Sequence, residues 1–177
     1  MLVLSLLEAH WLDAPEPLDD QCAHGKVTLS VEGQDFVTPQ DGEITVSAAA
    51  LNLLRTVDHD HTRESPVSEG GKLFPCCGFN VLLTGDRFPV LILGCPKGVD
   101  LEIVHTVNGV VLRREDREAL VSEHAWQRAV VSFADAVLEF YGREPRRNPL
   151  QNTEDRKGWQ AFWQEYAGRL ERLRLAV

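Results

Sequence analysis

The sequence has no long apolar run, a single methionine, and a shortage of base, with 18 Lys and Arg against 27 Asp and Glu. Without roughly twenty consecutive apolar residues, no helix can be expected to cross a bilayer. The shortage of base is concentrated at the start, where residues 1–70 carry 13 acidic and 3 basic side chains. Such a surface repels phosphate, which argues against nucleic-acid binding and leaves a basic partner as the easier one to accommodate. Residues 71–177, with 14 acidic and 15 basic side chains, are nearly balanced.

Chemical signatures are equally scarce. There is no Gly-x-Gly-x-x-Gly, Walker A, Gly-x-Ser-x-Gly or His-Glu-x-x-His sequence, and no Cys-x-x-Cys. The usual marks of dinucleotide, nucleoside-triphosphate, serine-hydrolase, metallopeptidase and structural-zinc sites are therefore missing. The opening segment Met1–Leu7 is apolar but has no basic residue ahead of it, and Glu8, His10 and Asp13 interrupt it. It does not read as an export signal, so the expectation is a cytoplasmic protein with reduced thiols and an N-terminal segment buried as a strand or helix.

The patterning that is present predicts an α+β fold in a single domain over residues 1–177, strand-rich over 1–114 and helical over 115–177. Pro15, Pro17 and the acids around them mark an exposed loop. Val27, Leu29 and Val31 alternate as on a half-buried strand, and Glu43–Val46 reads as another. Ser47 is placed to cap a short helix over Ala48–Arg55. Residues 58–72 lack any apolar period and predict a long loop of the kind that carries function. Val81–Leu83 and Val90–Leu93, flanking Gly85-Asp86, are continuously apolar, as in strands covered on both faces. Asn108-Gly109 predicts a type I′ hairpin turn pairing Val107 with Val110 and His105 with Leu112, with Glu102 and Arg113 diagonal on the opposite face. Ser122 and Asn152 or Thr153 are candidate caps for two helices, near 122–141 and 153–174, with Gly142 ending the first in a left-handed conformation. The strands near 26–46 and 80–114 are expected to form one antiparallel or mixed sheet with both helices on one face.

Two constellations have the residue types for chemistry. His59, His61, Cys76, Cys77 and Cys95 supply imidazole and thiolate for a tetrahedral zinc site, but His59-x-His61 is the only pair at ligand spacing, so no cofactor is expected. The same set allows a thiol- or metal-dependent hydrolase, with Cys77 as nucleophile and His59 or His61 as base. The stripe Trp159, Phe162, Trp163 and Tyr166 has core spacing, and would anchor a partner only if Trp159 or Trp163 were exposed.

Four blocks carry a resemblance. Leu73-Phe74-Pro75-Cys76-Cys77-Gly78, Ile92–Asp100, Phe133-Ala134-Asp135 with Phe140-Tyr141, and Asp155-Arg156-Lys157-Gly158-Trp159 with Phe162-Trp163-x-Glu165 resemble blocks of small bacterial proteins of uncharacterised function. Some of those are similar to immunity proteins encoded beside polymorphic toxins. The blocks span residues 73–165, and no catalytic residue comes with them. The resemblance implies a non-enzymatic protein that neutralises a basic toxin by protein–protein contact. Asp19, Asp20, Asp58, Asp60 and Glu64 are the expected contacts, because an acidic surface speeds encounter with a basic partner.

Overall fold

The computed structural model describes residues 1–12, 20–68, 71–77, 80–83, 87–94, 96–143, 150 and 152–176. It is an α+β fold built around one buried helix, α1 (Val46–Arg55), all ten of whose residues are buried. A helix apolar all round has to be covered on every side. The run Ala48-Ala49-Ala50-Leu51 is small enough to let neighbours approach from several directions. Ser47 lies inside this helix rather than capping it, and its hydroxyl is buried without a hydrogen-bond partner among the described residues.

The N-terminal segment is the strand β1 (Leu2–His10), paired antiparallel with β2 (His24–Val31), which pairs in turn with β3 (Gln34–Val37) and β4 (Ile44–Thr45). Val27, Leu29 and Val31 of β2 face the core as their alternation requires. Thr38 and Asp41 cap the 3-10 turn Pro39–Asp41 reciprocally. The β2–β3 turn is Glu32-Gly33, and both residues have positive φ, 52° and 86°. That is type I′ geometry, found here rather than at Asn108-Gly109.

Past α1 the strands do not join into one sheet. β5 (Phe74–Pro75) pairs with β8 (Gly98–Val99), and β6 (Asn80–Leu83) with β7 (Val90–Leu93). A third group orders β9 (Glu102–Thr106), β10 (Gly109–Arg114) and β11 (Arg117–Val121), the last a strand inside the region expected to be helical. Among the described residues all strand pairings are antiparallel. The apolar run of β6 and β7 is covered on one face only: Val81 and Val90 are buried while Leu82 and Leu93 are exposed.

The 101–113 hairpin forms in a register two residues away from the expected one. Thr106 pairs with Gly109 and His105 with Val110, so the turn centres on Val107-Asn108. The Thr106 hydroxyl accepts from the Asn108 amide and donates to the Gly109 carbonyl, which closes the turn one step earlier. Gly109 takes φ 131° and sits against the Val121 backbone, where a Cβ would clash. A shift of two keeps every side chain on its face. It also brings Glu102 directly opposite Arg113, 3.9 Å apart.

Two long helices complete the fold, α2 (Glu123–Arg143) and α3 (Thr153–Ala176). The Ser122 hydroxyl accepts from the Ala125 amide and Asn152 Oδ1 from the Glu154 amide, which satisfies amides at each start. Gly142 does not end α2, which runs on to Arg143 without a positive φ. The helices do not share a face. α2 lies against β1 and α1, whereas α3 lies against the β6–β7 hairpin and α1. Tyr166 of α3 donates to the Ala134 carbonyl of α2, and burial holds its phenol well above the usual range. Among the described residues no helix is long and apolar enough to cross a membrane.

Candidate functional site

Residues 58–72, expected as a loop carrying function, are fastened over their described part to the elements around them. The Asp58-His59-Asp60-His61 run supplies most of the fasteners. Asp58 meets Arg169 at 3.3 Å and Arg172 at 3.6 Å on α3. Asp60 accepts from the His105 amide of β9 at 2.8 Å, and the His105 ring donates to the Thr56 carbonyl. His61 is buried and bridges to Ile103 through its backbone.

The His61 ring has its two nitrogens committed in opposite senses. The Val67 amide donates to Nδ1 at 3.1 Å, so Nδ1 is unprotonated and Nε2 carries the hydrogen it gives to Asp100 Oδ1 at 3.0 Å. No lone pair is left with which to take a proton from a thiol. Asp100 accepts also from the Leu73 amide and lies 3.7 Å from Lys72. Burial alone would raise the Asp100 carboxyl, but the hydrogen bonds from the His61 ring and the Leu73 amide, with the charge of Lys72, hold it below the usual range.

Cys77 lines a shallow cleft together with Asn52, Ser68, Lys72, Pro75 and Ile92, and neither His59 nor His61 lines it. Asn52 donates to the Lys72 and Leu73 carbonyls, while its Oδ1 accepts nothing among the described residues. Cys76 is half-buried after β5, and Cys95 lies outside the described residues. Among the described residues, no group of three His, Cys, Asp or Glu side chains is placed to hold a metal ion.

The densest polar cluster is one that sequence reasoning missed. Arg55, the last residue of α1, is 1% exposed and grips Glu165 of α3 through Nε and Nη2 at 2.8 and 2.7 Å. It also donates to the Val67 and Val90 carbonyls, each at 2.9 Å. Arg169, one helical turn past Glu165, adds a second bond to the same carboxylate at 2.9 Å. The ring of buried Phe88 lies beneath three guanidinium groups, those of Arg55, Arg87 and Arg169 at 4.3, 5.0 and 5.5 Å, with His59 edge-on at 5.4 Å. The available signal was a charge on an apolar stripe: Gly158, Phe162, Glu165 and Arg169 recur at helical spacing, and Arg55 ends an otherwise uncharged helix.

The acids expected to meet a partner fare unevenly. Asp19 lies outside the described residues. Asp20 turns inward, its side chain 8% exposed, accepting from the Cys22 amide and the His24 ring. Asp58 and Asp60 are engaged as described. Glu64 is exposed and has no ion-pair partner among the described residues. The aromatic anchors are not exposed either: Trp159 is buried, and Trp163 is half-buried with its ring 4.6 Å from that of Tyr141.

These pairings set the acid limit of the fold. Burial would raise Asp20 too, but its bonds from His24 and the Cys22 amide leave it lowered, and Asp41 is lowered chiefly by the Arg114 guanidinium. A carboxyl whose folded pKa is depressed contributes stability that is complete above its unfolded pKa and is lost as pH falls through the folded value. The share of stability that these carboxylates contribute should therefore stay level from neutral pH down to about pH 5 and be lost below about pH 4. Asp100→Asn should cost on the order of 1 kcal/mol at pH 7 and flatten the acid limb. Midpoints measured across pH for both proteins check this; parallel acid limbs would remove Asp100 from the account.

Comparison with protein-family models, with curated proteins and with solved structures gives no match in any of the three.

Proposed function

We propose that the chain is a non-enzymatic binding protein acting by protein–protein contact in the cytoplasm, and specifically an immunity protein that occludes a basic toxin. The observation that carries the reading is an exposed acidic edge made by two adjacent hairpin turns. The β2–β3 turn presents Glu32 and Asp35, and the β10–β11 turn presents Asp116 and Glu115, the latter paired with Arg117 at 2.9 Å, with Glu118 beyond it paired with Arg113 at 2.6 Å. Arg117 ties the turns together by donating to the Asp35 carbonyl, and Arg114 does so through the Phe36 carbonyl and Asp41.

Both turns place a glutamate at positive φ, 52° at Glu32 and 56° at Glu115. A side chain with a Cβ at that conformation costs about 1 kcal/mol, and Gly or Asn fits it better. An acid held on a strained backbone at two neighbouring turns supports a role for the acid itself. The committed nitrogens of His61, and the absence of His59 and His61 from the lining of the Cys77 cleft, support binding over thiol chemistry.

The test uses one variant in two assays. Glu32→Asn with Glu115→Asn should raise stability by about 1 kcal/mol in urea denaturation, since both turns gain a residue suited to positive φ. The same variant should lose at least about tenfold in affinity for a basic protein that the wild type captures at low salt from its native source. If no basic protein is captured, or if the variant captures it equally well, the reading fails.

A further inference from the structure

The chain carries a net charge of -9, yet around Phe88 the local balance is reversed. Three guanidinium groups, those of Arg55, Arg169 and Arg172, share two carboxylates, Glu165 and Asp58, and a fourth, that of Arg87, meets neither. Arg55 is engaged by Glu165 and two backbone carbonyls through four hydrogen bonds. Arg169 bridges Glu165 and Asp58, and Arg172 reaches Asp58 alone. Arg87 is exposed and donates only to the Ser65 hydroxyl, at 2.7 Å, leaving the rest of its fork without a hydrogen-bond acceptor among the described residues.

His59 stands on the same ring, half-buried and edge-on to Phe88, with nothing hydrogen-bonded to its imidazole among the described residues. Burial first, then the charges of Arg87 and Arg169 and the ring of His105, hold it below the usual imidazole range, against the opposing charge of Asp58. A neutral imidazole and part of a guanidinium fork thus stand around one buried aromatic ring, with the Ser65 hydroxyl on that fork, and among the described residues the guanidinium groups there outnumber the carboxylates. A tetrahedral oxyanion fits these donors: Arg87 offers paired N–H groups, Ser65 a hydroxyl, and His59 a ring N–H that gains a second once an anion compensates its charge.

We infer that the niche formed by His59, Ser65, Arg87 and Arg169 over Phe88 binds a single phosphate-type oxyanion. The niche is distinct from the acidic edge, and its occupancy does not depend on that edge having a partner. The source of the phosphoryl group is either inorganic phosphate or the terminal group of a phosphate ester.

The experiment follows the His59 ring by NMR across pH in the full chain, in chloride, inorganic phosphate and glycerol phosphate at equal ionic strength. Either phosphate compound should move the His59 titration upward, with saturation at a single site, while His10 and His124 titrate as in chloride. A response to both compounds assigns an ester-accepting niche, and a response to inorganic phosphate alone assigns a free-anion niche. Arg87→Met, a change at an exposed position, should leave the other resonances in place and weaken the response at least about tenfold. His59 titrating alike in chloride and in both phosphate compounds, or an Arg87→Met response equal to wild type, would overturn the assignment.

Discussion

Arg55→Met is expected to lower the unfolding free energy by about 3 kcal/mol, one of the two largest single effects expected in the molecule. The guanidinium joins the end of α1 to three other parts of the chain at once: the loop at Val67, the start of β7 at Val90, and Glu165 on α3. Methionine keeps the stem but leaves two buried carbonyls without their donor and a carboxylate without its main partner. Breaking a buried ion pair by removing one member costs about 3–5 kcal/mol. The lower end applies, because Arg169 stays 2.9 Å from Glu165 and continues to compensate it. Arg55→Met combined with Glu165→Met should recover part of the loss, since removing both charges removes the uncompensated one. Urea denaturation of the three proteins checks this, and a single variant within 1 kcal/mol of wild type would show that packing on Phe88, not the ion pair, holds the junction.

The parts of this fold that were legible in the sequence are those set by local rules. The alternation of Val27, Leu29 and Val31, the Ser122 and Asn152 caps, and the apolar stripes of α2 and α3 each follow from neighbours in sequence, and each is present. Asn108-Gly109 illustrates the limit of such rules. Its turn propensity was overruled by a threonine hydroxyl and by the close approach of β11, a strand whose alternating Arg117–Val121 pattern had been read as part of a helical region. The four separate sheets were not legible, because strand propensity says nothing about which strand accepts which partner. The candidate site was the least legible of all. Arg55 and Glu165 are 110 residues apart and meet only through packing. The Asp58–His61 run was visible as a charged tetrapeptide, but the sequence could not distinguish solvated side chains from side chains fastened to β9, to Asp100 and to α3.

Gly158→Ala is expected to cost roughly 3 kcal/mol, the upper end of what overpacking a buried position costs. Elsewhere a glycine inside a long helix gives way to alanine with a gain of about 1 kcal/mol. Gly158, in the first turns of α3, is buried beneath the β6–β7 hairpin. A Cβ there would lie far inside the 3.0 Å limit from the Val81 carbonyl oxygen, a backbone atom that cannot rotate away. The missing methyl is what lets the helix lie directly on the strand. Accommodating it would force α3 and β6 apart and loosen Trp159 and Phe162, buried one and four residues further along the same helix. Because β6–β7 has only two strands and packs on α3, it cannot hold its position independently of that contact. The variant should therefore lose protection from amide exchange first in Val81–Leu83 and Val90–Leu93, while β1, β2 and α2 keep theirs. An alanine variant as stable as wild type, with unchanged exchange in the hairpin, would mean that α3 and β6 are not in the close contact described.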